Sequence, residues 1–133
     1  MKTAAEIRNF MSHCYGTDKP YIKHSLSKRL VFTDSIRVIR DMADCHWMVD
    51  AIASYQHTLL DQPFQVWAFN CNTELKIGTL TCEDGNGNEL VRQEIEYTDF
   101  PLDKIELWAE LGGYGSSAEN WTEAMVLMVP SER

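Results

Sequence analysis

Apolar residues recur at helical spacing through the first part of the chain and at every second position after Pro63. Ile7, Phe10 and Met11 share one face of a short helix predicted over 3–11 and ending before Gly16. The segment from Tyr15 to His24 mixes turn formers with two tyrosines and reads as an ordered loop over part of the core. The short apolar run Leu30-Val31-Phe32 then meets Thr33-Asp34, a hydroxyl suited to an N-cap followed by a charge suited to a helix's positive end. Ile36, Ile39 and Ala43 continue as a stripe, which predicts a helix over 34–43. Asp44 offers a second N-cap, and Cys45, Met48, Val49, Ile52 and Ala53, widened by Trp47, Ala51 and Tyr55, predict a substantially buried helix over 45–59. The pattern leaves open whether 34–59 is one kinked helix or two.

Beyond Pro63 the period changes to two. Residues 64–71 alternate as a strand, Asn72-Thr73 can turn it into a second over 74–82, and Gly78 is placed to accommodate a bulge. The segment Glu83-Asp84-Gly85-Asn86-Gly87-Asn88 is a hairpin signal leading to a strand near 89–95. Thr98-Asp99-Phe100-Pro101-Leu102 reads as a turn, with Asp99 able to cap its amides, before a strand over 104–111. Gly112, Gly113 and Gly115 open a flexible loop to Asn120, and a central strand follows over 123–129. Helices followed by about five strands predict an α+β fold, the N-terminal helices packed on one face of a mainly antiparallel sheet.

At 133 residues with 44% hydrophobic residues, the chain holds enough apolar material for one compact domain over 1–133 without a staple. The N-terminal stretch is never apolar enough for a signal or membrane anchor, so a cytoplasmic location is expected. Charge is divided unevenly: residues 1–48 carry eight Lys/Arg against five Asp/Glu, residues 49–133 four against fifteen. Opposed fields of this kind steer a partner, or a second copy in a homodimer, into register.

Cys14, Cys45, Cys71 and Cys82 lack the close pairing of zinc or redox motifs and read as reduced, buried thiols. Asp84 to Asn88 places oxygen ligands at alternate positions, but Glu89 and Ile95 stand where a calcium loop needs glycine and a bidentate acid, so a hairpin turn is the reading. Dispersed His13, His24, His46 and His57 point to no metal site, and no cofactor is expected. Cys45 at a helix start could have a lowered pKa, yet adjacent His46 points elsewhere, so a small hydrolase with an unrecognised site is an alternative only. A second alternative is nucleic-acid binding through Lys19, Lys23, Lys28, Arg29, Arg37 and Arg40, with Tyr21 and His24 interleaved. Trp47, Trp67 and Trp108 are assigned to the core.

Tyr15-Gly-Thr-Asp18, Leu30-Val-Phe-Thr-Asp34, Trp47-Met-Val-Asp-Ala-Ile-Ala53 with Gln56, Phe64-Gln-Val-Trp67, Leu80 through Asn88, Thr98-Asp-Phe-Pro101 and Val129-Pro-Ser-Glu132 occur in an order spanning nearly the whole chain. In these stretches the chain resembles an uncharacterised family of small proteins encoded by bacteriophages, prophages and related mobile elements. It departs from the family pattern at Ser35, where a glycine is common, and in an enlarged 112–120 loop. The resemblance implies a phage accessory role in the host cytoplasm and carries no catalytic residues. The expected function is protein binding, in particular inhibition of a CRISPR-type defence complex: Glu83, Asp84, Glu94, Glu96, Glu106 and Glu110 imitate a phosphate array on a basic partner surface, and Tyr114 and Trp121 anchor it.

Overall fold

The computed structural model describes residues 1–14, 21–25, 27, 29–114 and 122–133. Helix α1 (Ala4–Met11) starts where the sequence places it. The Thr3 hydroxyl accepts from the Glu6 amide at 3.2 Å and the Glu6 carboxylate accepts from the Thr3 amide at 3.4 Å, pairing two amides that a helix start leaves open. Helix α2 (Asp34–Met42) is capped by Thr33, and α3 (His46–Tyr55) runs into a 3-10 turn at Gln56–Thr58. The 34–59 segment is therefore two helices. Asp44 takes a φ of 50°, a left-handed conformation that ends α2, and Cys45 occupies the capping position of α3 without a side-chain capping bond. Asp44 separates the helices rather than starting the second.

Strands β1 (Ile22–Lys23), β2 (Leu30–Phe32), β3 (Phe64–Asn72), β4 (Ile77–Glu83), β5 (Glu89–Ile95), β6 (Lys104–Tyr114) and β7 (Thr122–Met128) form one sheet in the order β1-β2-β7-β6-β3-β4-β5. Seven strands replace the five expected. The α+β arrangement holds, with every pair antiparallel except β2 with β7. The additions are β1, in a segment read as loop, and β2. Leu30, Val31 and Phe32 are all buried, so three apolar residues in a row offer no alternation to read.

The helices lie on one face, where Trp67, Phe69, Leu80, Leu107 and Leu127 meet Ile7, Ile36, Ile39, Met48 and Ile52. Trp47 and Phe100 approach Phe69 edge-on, with ring centroids at 5.1 and 5.4 Å. That ring also explains Gly78. A Cβ there would stand 2.4 Å from Phe69 Cζ, so the glycine makes room for an aromatic core residue, and the irregularity in β4 falls at Cys82/Glu83 instead. The strand begins at Ile77 rather than at residue 74 because Asn72 Oδ1 accepts from the Glu74 and Leu75 amides at 3.1 and 3.0 Å and Lys76 takes a φ of 58°. Strand β6 continues past Leu111 through Gly112, Gly113 and Tyr114, paired with Ala124, Glu123 and Thr122. The glycines there belong to a strand, while residues 115–120 of the expected loop lie outside the described residues.

Two buried polar seams join distant segments. Gln56 and Gln65 exchange reciprocal amide bonds at 2.9 and 3.0 Å, and Gln65 Oε1 also accepts from Trp67 Nε1 at 2.9 Å. Thr33 Oγ1 donates to Glu132 at 2.9 Å, and the same carboxylate oxygen accepts from the Val129 amide at 2.9 Å. Among the described residues no helix is long and apolar enough to cross a membrane.

Candidate functional site

Alternation along β3 sends Gln65, Trp67, Phe69 and Cys71 toward the helices and leaves Phe64, Val66, Ala68 and Asn70 on the opposite face. The register then assembles a surface. Val66 lies between Glu83 and Trp108, Ala68 between Thr81 and Glu106, Asn70 between Thr79 and Lys104, and Phe64 opposite Glu110. Glu94 on β5 stands opposite Thr79. Helices α1, α2 and α3 pack on the other face, and a 3-10 turn at Pro130–Glu132 leads into Arg133, which lies over this one. At the β2–β7 end, Val31, Ala124, Val126 and Met128 form a small buried cluster with Tyr21 and Trp108 packed against it.

Four expected contact residues, Glu83, Glu94, Glu106 and Glu110, thus share one face. Trp108, assigned to the core from sequence, lies half-buried among them. Ile105, Leu107 and Ala109 take the helix side of β6, which leaves Trp108 the other parity. Its Nε1 donates to Glu106 Oε1 at 3.0 Å. Arg133 grips Glu110 through two bonds at 3.0 and 3.2 Å and sits over the rings of Phe64 and Trp108, 5.1 and 5.8 Å from their centroids. Glu94 accepts from Thr79 Oγ1 at 2.8 Å and lies 3.8 Å from Arg92. With Lys104 on the same face, the carboxylates form a mixed-charge surface around aromatic and aliphatic side chains.

Asp84 separates from this group, and Glu96 keeps only Glu94 of it nearby. Asp84 turns inward on its own hairpin, accepting from the Asn86 and Asn88 amides and the Asn88 side chain at 2.8 to 3.2 Å, and the Asn88 bond holds its carboxyl below the usual range. Glu96 follows β5 and lines an open cleft with Asn72, Ile77, Glu94 and Asp103 at one end of the sheet. Tyr114 ends β6, but its side chain, like Trp121, lies outside the described residues. Phe64, Val66 and Arg133 complete the surface and were not singled out from sequence. The alternation of β3 carries a signal for the first two, whereas Arg133 reaches Glu110 only through the fold.

Competing chemistries find less support in the geometry. Burial pushes the thiols of Cys45 and Cys82 up to about 12, in keeping with the reading of buried thiols and opposite to the lowered value that a helix start could give Cys45. All four cysteines are free and buried. Among the described residues no three of His, Cys, Asp and Glu gather as a metal site. His24 contacts Asp50 at 2.8 Å. In the basic segment Arg37 contacts Asp34 and Asp41 at 2.8 and 3.6 Å, Arg40 stacks over Phe32, and Arg29 donates to the Leu60 carbonyl. Lys19 and Lys28 lie outside the described residues. Asp99 does not cap its turn: Thr98 Oγ1 accepts from the Phe100 amide at 3.1 Å, while Asp99 takes Lys76 and Tyr97 at 3.1 and 2.9 Å.

Thr33, Gln56, Gln65, Trp67 and Glu132, which stand within the motifs singled out from sequence, form the buried seams, whereas residues 85–88 are exposed and 15–18 lie outside the described residues. Thr33 meets Glu132, Gln56 meets Gln65, and Gln65 also accepts from the Trp67 indole, while Asp50 meets His24 from an exposed position. They are residues that hold the fold. No curated protein and no solved structure matches the chain. A family model does match, over residues 5–133, and its description is a family of unknown function, DUF6876. With nearly its full length inside that match, the chain belongs to DUF6876.

Proposed function

We propose that this chain is a binding protein that acts by occupancy, its open sheet face closing on a protein partner that presents Arg or Lys beside apolar side chains. The observation that carries the reading is the register that gathers Glu83, Glu106 and Glu110 around Phe64, Val66 and Trp108, with Glu94 further along the same face beside Thr79. Half-buried rings bring large area at small conformational cost, which is why a few aromatic and Arg side chains dominate many interfaces. Arg92, Lys104 and Arg133 interrupt the acids, so recognition rests on matching a pattern of charges. The formal charge of -8 supplies attraction toward a basic partner from further away. In the setting that the resemblance to phage-encoded proteins suggests, that partner is a bacterial defence complex of CRISPR type, blocked at a surface that otherwise receives nucleic acid.

The test is recovery of a protein partner on immobilised chain from a phage-infected bacterial lysate, followed by affinity measurement with the purified partner. Trp108→Ala is expected to weaken binding by about 30-fold or more. Joint Glu83→Lys and Glu106→Lys exchange is expected to weaken it and flatten its salt dependence. Equal affinity in wild type and both variants overturns the reading. Salt-sensitive binding of nucleic acid, lost on joint Arg37→Glu and Arg40→Glu exchange, puts the basic segment in its place.

A further inference from the structure

The sheet ends on one side in a strand of two residues, β1, and on the other in β5, a full strand of seven residues. Among the described residues β5 pairs only with β4, so its outer edge presents a row of backbone donors and acceptors of the kind that recruits another strand. We propose that this edge receives the β5 of a second copy of the chain, antiparallel and centred on Gln93, so that one sheet runs through a two-fold dimer. The inference does not require the occupancy reading: Arg92 and Glu94 lie on the open face, but the seam uses the free edge of β5, and self-association of the chain alone is read without any partner.

Self-complementarity carries it. Opposed residues in an antiparallel pair share a face, and a two-fold axis normal to the sheet relates identical faces, so only registers in which one residue faces its own copy are allowed. Centring on Gln93 sets Arg92 against Glu94 of the second copy, twice, and Val91 against Ile95 of the second copy, twice. Arg92 and Glu94 lie on the open face, opposite Thr81 and Thr79, whereas Val91, Gln93 and Ile95 lie on the helix side, opposite Cys82, Leu80 and Gly78. Opposite charges and apolar side chains therefore each meet on their own face. The neighbouring registers fail. Centring on Arg92 or on Glu94 puts like charges directly across the axis, and centring on Ile95 sets Glu94 against Glu96. Centring on Val91 sets Arg92 against Leu90 and Glu94 against Asn88 and so forms no ion pair, whereas centring on Gln93 keeps both Arg92–Glu94 pairs and meets a charge with an apolar residue only at Leu90 and Glu96, past the end of β5.

The local geometry suits this use. Arg92 and Glu94 are exposed, and Val91 and Ile95 are only partly buried, so pairing covers apolar surface that one copy leaves half open. Tyr55 donates to Gln93 Oε1 at 2.8 Å, which leaves the Gln93 amide hydrogens for the carbonyl of its counterpart on the axis. Within one chain Arg92 is held by Glu89 at 2.7 Å, an exposed contact of small energetic weight that cross-strand pairing can share.

Sedimentation of the full chain across a concentration series tests the proposal. The wild type is expected to show a monomer–dimer equilibrium at concentrations up to about a hundred micromolar. Arg92→Glu alone and Glu94→Arg alone each set like charges across the seam and are expected to weaken dimerisation at least about tenfold. An equimolar mixture of those two variants is expected to recover the dimer, because each copy then offers the charges the other lacks. A wild type that stays monomeric, or a dimer equally strong in both single variants, overturns it. A mixture that fails to dimerise when both singles are folded also overturns it.

Discussion

Gln56 and Gln65 are completely enclosed, and each satisfies the other's amide while Gln65 also serves the Trp67 indole. An amide removed from water is stabilising only while its partners remain. Gln65→Leu leaves Gln56 Oε1 and the Trp67 N–H unmet, while Gln56 Nε2 keeps the Ile52 carbonyl, and urea unfolding is expected to show a loss of about 3 kcal/mol. The double change Gln56→Leu with Gln65→Leu is expected to cost less than the two single losses added together, because it removes both members of the pair. Cys45 makes a second argument at this scale. Burial pushes its folded thiol up to about 12 from an ordinary value of 9.0. The raised value means that the buried thiol favours folding while neutral, so its contribution is full below about pH 9 and declines as pH rises toward 12. A thiol reagent at neutral pH is expected to spare Cys45 in the native protein and modify it in urea, and Cys45→Ala is expected to flatten the alkaline loss of stability. The glutamine pairing was not legible in the residues themselves, and the spacing of the cysteines pointed to buried thiols without fixing the direction in which Cys45 would shift. A glutamine does not announce its partner, and the same cysteine reads as activated or suppressed according to whether it is exposed or enclosed.

The first turn of α2 is coupled to the last residues of the chain, since Thr33 caps the helix and also donates to Glu132. Thr33→Val removes both bonds while keeping the shape, and thermal or chemical unfolding is expected to register a loss of about 2–3 kcal/mol. Thr33→Ser, which retains the hydroxyl, is expected to remain within about 1 kcal/mol of wild type. Elements with a local signature were readable at this scale: the capped starts of α1 and α2, the alternation of β3 and β6, and the Asp84–Asn88 hairpin, whose Gly85 and Gly87 both take positive φ. The misread elements lack such a signature. Strands β1 and β2 are too short to display a period and exist because Ile22 and Lys23 pair with Phe32 and Val31, and Leu30 to Phe32 with Met125 to Leu127. Gly112 and Gly113 resemble a loop until β7 pairs with them, and a Cβ on Gly112 would meet Val126 at 3.2 Å, so packing favours its small size.

For the molecule as a whole, the division into a helix-covered face and an open face follows from which parity of each strand is apolar. That division turns a dispersed set of glutamates into a surface. The parity of Glu106 and Glu110 on β6 could be read from spacing alone, but their meeting with Glu83, Phe64 and Val66 depends on β3 lying between β4 and β6. Asp84 left the group for a local reason, drawn into its own hairpin, whereas Glu96, beyond the end of β5, keeps only Glu94 of the group beside it. The sequence by itself determined the local order of helices and most strands, the hairpin chemistry and the α+β class, because periodicity, caps and turn residues act between neighbours along the chain. Only the tertiary structure decided the strand order, the two added strands, the buried amide pair, the suppressed thiols and the company kept by Trp108. These depend on side chains that meet across long stretches of sequence, where burial and complementary bonds, not spacing, select the partner.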